Sequence, residues 1–153
     1  MTGNIKLSGM SDLRRALEKL PKELRRTTES AALRAGATPI RKAAKANLSG
    51  VKDTGLLQKA LGLTVKKTRA GQLTARVGPR SGFAQVVLRK GRSKPEKANP
   101  VKYAHLVEYG TSKMAARPFI RNAIASSETQ IMHEMAKGYE KGLDRAVRKL
   151  RKK

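Results

Sequence analysis

Few side chains in this sequence are of a type that does chemistry, and those few are thinly spread. The only histidines are His105 and His133, and cysteine is absent, which excludes disulfides and thiolate metal sites. His105 and Glu108 stand three residues apart, a helical spacing found in some metal sites. Such a pair supplies two ligands at most, so it reads as an interface or intrahelical hydrogen-bonding pair. Asp53-Thr54-Gly55 matches the triplet of aspartic proteases, but that chemistry needs two carboxylates sharing a proton, and the triplet occurs once. A capping turn is the better account. Gly78-Pro79-Arg80-Ser81-Gly82 lacks the lysine and following helix of a phosphate-binding loop and reads as a turn. With no acid–base or nucleophilic set, the sequence points away from an enzyme, and it names no cofactor and no metal.

The abundant functional group is the cation. The 153 residues carry 35 Lys and Arg against 11 Asp and Glu, a net charge of +24, where a small soluble domain is usually within about 2–8 of neutrality. From Thr54 to Ser127 fifteen Lys and Arg face only Glu96 and Glu108, whereas the N-terminal part alternates signs like an ordinary solvated helix surface. The segment LRKGRSKPEKANPVK supplies Arg89, Lys90, Arg92, Lys94, Lys97 and Lys102, and the terminal RAVRKLRKK supplies Arg148, Lys149, Arg151, Lys152 and Lys153. These are the candidate contacts to DNA or to an acidic protein partner. Cations displace counterions from phosphates and bind without regard to sequence. An acidic partner surface would match them equally, and charge alone does not choose. The aromatic platforms of single-strand and RNA binders are lacking, as are helix-turn-helix, zinc-finger and RNP patterns.

The elements that must position these groups are expected in an α+β order, within a single domain spanning 1–153. Asn4–Leu7 alternates as a short strand, and Ser11 caps a helix from Asp12 to Leu20. Pro21 starts a long Ala-rich helical stretch to Asn47, in which Pro39 either kinks the helix or opens a new one capped by Thr38. Asp53-Thr54-Gly55 caps a short helix through Ala60. Leu61–Lys67 and Leu73–Gly78 form a β-hairpin about Thr68–Gln72, and Phe83–Leu88 is a third strand. Gly91–Pro100 has one apolar residue, Ala98, so 81–101 is expected as a basic mobile loop and 145–153 as a basic tail. Val101–Tyr109 is a helix stopped by a left-handed Gly110, and Pro118 opens a long amphipathic C-terminal helix. The small antiparallel sheet, made of the hairpin and short strands, packs against the long helices. No stretch has the 18 consecutive apolar residues of a membrane span, and MTGNIKLSGM has no signal-peptide core.

Three of the five aromatic residues, Tyr103, Tyr109 and Phe119, fall in YAHLVEYGTSKMAARPFIRNAI, Tyr103 to Ile124. This segment resembles the signature of a tail-component family of lambdoid, long-tailed double-stranded DNA phages, from the neck and tail-completion gene cluster. IKLSGMSDLRRALEKLPKELRR, IRKAAKANLSGVKDTGLLQKAL and LTARVGP are similar to its N-terminal strand and helix, its central helix and Thr-Gly turn, and its second hairpin strand. The most specific part is Glu108 to Phe119, with the hallmark turn Glu108, Tyr109, Gly110, Thr111, Arg117, Pro118 and Phe119. Leu48-Ser49-Gly50 stands where the family often has a proline, and Ser81–Lys102 is a basic insertion. The resemblance implies a non-enzymatic virion protein at the head–tail junction that assembles as a homo-oligomeric ring. Its implied neighbours are head-closure, tail-terminator or tail-tube proteins, with packaged DNA met non-specifically and no membrane. The implied location is the virion neck or tail, after assembly in the host cytoplasm. At the turn, Gly110 is expected to permit the reversal, Tyr109 and Phe119 to pack beneath it, and Glu108 to pair with Arg117. The composition by itself also suits a free basic nucleic-acid-binding protein of histone-like or ribosomal type.

Overall fold

A computed structural model describes residues 21–50, 55–80, 82–87 and 94–150. The expected strand Asn4–Leu7 and helix Asp12–Leu20 lie outside the described residues. In chain order the elements are α1 (Lys22–Asn47), α2 (Leu56–Ala60), β1 (Leu61–Lys67), β2 (Leu73–Pro79), β3 (Gln85–Val87), β4 (Glu96–Ala98), α3 (Pro100–Tyr109) and α4 (Phe119–Leu150). The fold is α+β, with a long C-terminal helix and two small antiparallel sheets among the described residues.

α1 is one helix through Pro39, not two. Proline withholds the amide that would bond the carbonyl four residues back, an interior penalty of about 3 kcal/mol. Pro39 is buried, so burial offsets the loss. Thr38 does not cap a new helix; its hydroxyl donates to the Arg34 carbonyl at 2.8 Å, within the same helix.

α1 and α4 run antiparallel and pack at short range because the facing residues are small. A Cβ added at Gly138 would stand 2.5 Å from the Ala35 Cβ and 2.9 Å from the Ala31 carbonyl oxygen. One added at Gly142 would stand 2.8 Å from the Thr28 Cα. The two glycines are four residues apart, one turn of helix, and Ala146 continues the same row in a buried position. Thr28, fully buried opposite them, satisfies its hydroxyl on the Leu24 carbonyl at 2.8 Å.

The apolar core gathers at the other end of the pair. Ala44 and Leu48 from the end of α1, Leu57 from α2, Leu61 from β1, Ala104 and Val107 from α3, and Phe119 and Ala123 from α4 form one cluster. The Gln58 side chain donates to the Lys45 carbonyl at 2.8 Å, fastening α2 to the end of α1. Gly55 opens α2 at φ 66°, with no side-chain cap, and Asp53 and Thr54 lie outside the described residues.

The hairpin forms as its alternation predicts, in register from Leu61 opposite Pro79 to Lys67 opposite Leu73. Gly71 at φ 84° closes the turn, its amide donating to the Thr68 carbonyl at 3.0 Å. Leu61, Leu63, Val65, Leu73, Ala75 and Val77 fall on one face by register, and both strands pack on α1. The third strand is shorter than expected and does not extend the hairpin. β3 pairs instead with β4 in a separate sheet, Gln85 opposite Ala98 and Val87 opposite Glu96. Within the segment expected as a basic loop, Glu96–Ala98 is a strand, and Ala98 and Pro100 are buried.

Candidate functional site

The segment singled out by its aromatics is the joint between α3 and α4. α3 begins one residue earlier than the pattern suggests, with Pro100 at its first turn and the Asn99 side chain accepting from the Val101 amide at 3.1 Å. It ends where the Gly110 amide donates to the Leu106 carbonyl at 2.8 Å. Gly110 has φ 78° and ψ −179°. The positive φ is as expected, but the residue is extended in ψ rather than left-handed helical, a region open essentially to glycine alone. There is also no room for a side chain: a Cβ would meet the Ala116 amide nitrogen at 2.7 Å and the Met114 carbonyl oxygen at 2.9 Å.

Thr111 builds the tight reversal that follows. Its amide donates to the Met114 carbonyl at 2.8 Å, and its hydroxyl accepts from the Lys113 amide at 3.2 Å. The Arg117 amide then donates back to the Val107 carbonyl at 2.8 Å, tying the approach to α4 against α3. The guanidinium of Arg117 donates to the Gly50 carbonyl at 3.4 Å, beyond the end of α1. Pro118 precedes the first residue of α4, and its carbonyl accepts from the Asn122 amide at 3.3 Å.

Glu108 does the most here. The residue is 6% exposed, and its carboxylate reaches twelve residues ahead to the start of α4. One oxygen accepts from the Ile120 amide at 2.9 Å and the other from the Arg121 amide at 3.1 Å. A helix start has orphan amides and a partial positive charge, and a carboxylate satisfies both. Glu108 therefore caps a helix to which it does not belong. The expected Glu108–Arg117 pair is not the one formed; the ionic partner is Arg121, whose Nε lies 3.4 Å from the same carboxylate. The reason is geometric, since the capped amides belong to Ile120 and Arg121, and Arg117 faces the end of α1.

The two aromatics of the turn part company. Phe119 is 2% exposed in the core, and its carbonyl accepts from the Asn47 side chain at 3.0 Å. Tyr109 is 62% exposed and lies under the Arg121 guanidinium, 5.1 Å from ring centroid to Cζ. The expectation that Tyr109 packs beneath the turn is corrected: α3 directs Ala104, Val107 and Glu108 inward, and Tyr109 falls on the opposite side. His105 is exposed, while the Glu108 carboxylate is engaged by two amides and a guanidinium. Among the described residues no group of three metal-ligating side chains occurs.

The candidate basic contacts are dispersed. Lys94 and Lys97 lie around β4, Lys102 on α3 and Arg148 on α4, all exposed. Lys149 lies in α4. Arg89, Lys90, Arg92, Arg151, Lys152 and Lys153 lie outside the described residues. No helix among the described residues is long and apolar enough to cross a membrane.

Residues 11–110, from before α1 to the end of α3, match the family described as "Bacteriophage HK97-gp10, putative tail-component". The chain belongs to this family. No curated protein and no solved structure matches it. The match to the HK97-gp10 family takes in Glu108, Tyr109 and Gly110 of the hallmark turn and stops before Thr111. The remainder of the turn thus rests on the hydrogen bonds that join it to α3. Sequence reasoning missed the Glu108 cap, although a signal was there. Ala116-Arg117-Pro118 offers no Ser, Thr, Asp or Asn at the start of α4, so its cap had to come from elsewhere.

Proposed function

We propose that the protein is a non-enzymatic virion subunit of the head–tail junction or the head-proximal end of the tail. In this reading it assembles as part of a homo-oligomeric ring that promotes head–tail joining. Its neighbours are head-closure, tail-terminator or tail-tube proteins, and it passes through the host cytoplasm during assembly. The observation that carries the reading is the division of labour at the joint. The carboxylate of Glu108 is turned inward and consumed by the fold, while large apolar groups remain outside. Val101, Leu106 and Tyr109 on α3 and Met114 in the turn are all exposed. Surface apolar groups gathered around one element mark a contact face more often than chance exposure does. Family membership supports the tail, and the fixed geometry of the joint supports a part whose task is to present a surface in one orientation.

The test is complementation in a phage lacking the gene. A Leu106→Glu/Tyr109→Glu variant is expected to fold, as judged by circular dichroism, yet leave filled heads and separate tails in electron micrographs. Infectious particles that contain none of the protein would sink the reading.

A further inference from the structure

The sequence directs attention to its basic loop and tail, but the most organised cluster of cations lies elsewhere. Arg26, Thr27, Ser30, Ala31 and Arg34 of α1 and Arg145 of α4 line one open groove of ≈ 580 Å³. Arg26, Ser30 and Arg34 are spaced by four residues and so share one face of α1. The close approach at Gly142, which sits against Thr28 and Ala31, brings Arg145 alongside them one turn further on. Glu29, three residues from Arg26 in α1, is held by Arg25 at 3.0 Å. Among the described residues none of the three arginines has an ion pair. Among the described residues three like charges converge with no ion-pair partner, an arrangement that an external anion stabilises.

We propose that this groove is a nucleic-acid contact site that takes the phosphodiester backbone without regard to base sequence. Two features select that ligand. Arg26 and Arg34 are separated by about 12 Å of helix rise, more than one small anion spans, which favours a chain of phosphates. The lining is three arginines, two hydroxyl residues and one alanine. Arginine and hydroxyl side chains are the usual phosphate contacts, and no aromatic or large aliphatic side chain, which would join arginine in the centre of a protein interface, lies among them. The groove and the apolar face of α3 are separate surfaces, so this site stands or falls independently of the assembly reading.

The full chain is titrated with a short labelled duplex DNA over a salt series. Arg26→Gln/Arg34→Gln/Arg145→Gln is expected to weaken binding about tenfold or more and to lower the salt slope by about 2.7, at roughly 0.9 for each phosphate no longer neutralised. Lys94→Gln/Lys97→Gln/Lys102→Gln removes the same formal charge and is expected to weaken binding by no more than about twofold. Arg→Lys at all three groove positions keeps the charge and controls for folding; it should retain most of the slope while weakening affinity through loss of the guanidinium fork. Equal losses in the two Gln variants would overturn the site in favour of diffuse charge. Unchanged duplex binding by the groove variant would overturn it outright, and so would loss of poly-glutamate binding alone, which would assign the groove to an acidic protein.

Discussion

The α1–α4 pair and the α3–α4 joint are held by opposite means. Along the pair almost nothing directional is used: Gly138, Gly142 and Ala146 let one backbone lie against Ala31, Ala32, Ala35 and Thr28 of the other. At the joint nearly every link is directional, from the Glu108 cap to the Arg117 and Asn47 bonds. Close contact between backbones is intolerant of added volume but indifferent to charge. The joint tolerates a change of one surface group but not the loss of its buried anchor or its glycine. The difference teaches where each kind of substitution is felt.

The largest expected effect is at the pair. Gly138→Val with Gly142→Val puts branched side chains where backbone atoms already stand within 3.0 Å of a Cβ, and overpacking of this kind exceeds about 3 kcal/mol where the neighbour cannot move. Circular dichroism should show no cooperative thermal unfolding. If the double variant melts like the parent, the helices do not pack as closely as described.

Next comes Phe119→Ala, which empties the centre of the core cluster and is expected to destabilise by about 3–5 kcal/mol in urea unfolding. Gly110→Val should match or exceed it, through backbone strain as well as crowding. Glu108→Ala is smaller, about 1–3 kcal/mol, because two amides and not an apolar volume lose their partner. Glu108→Gln should recover part of that loss, and amide exchange at Ile120 and Arg121 should report it locally. The smallest effect is expected for Arg121→Ala, under about 1 kcal/mol, since the side chain is 59% exposed. A loss as large as that of Glu108→Ala would show that the ion pair, rather than the cap, holds the joint.

Much of this was legible in the sequence where the determinants are local. The hairpin follows from alternating Leu, Val and Ala around Thr68–Gln72, and α4 from Ile, Met and Leu at three- and four-residue spacing. Gly110 and Phe119 were readable as a stop and an anchor. What escaped depends on partners far apart in the chain. β4 looks like loop because its three residues are Glu96, Lys97 and Ala98, and only pairing with β3 makes them a strand. Tyr109 looks like core by its type, yet the turn of α3 that buries Glu108 sets it outside. The unpaired arginines along α1 look like an ordinary mixed-charge helix until Arg145 arrives from the other end of the chain.

The bond from Asn47 to the Phe119 carbonyl and the cap from Glu108 fasten the same end of α4. From that anchorage its 32 residues extend about 48 Å, with α1 alongside. Were the pair to tilt as a rigid rod about this end, about 5° of tilt would carry the far tip of α4 through about 4 Å. The length of the pair thus sets a long lever arm beyond the joint at which α3 meets α4.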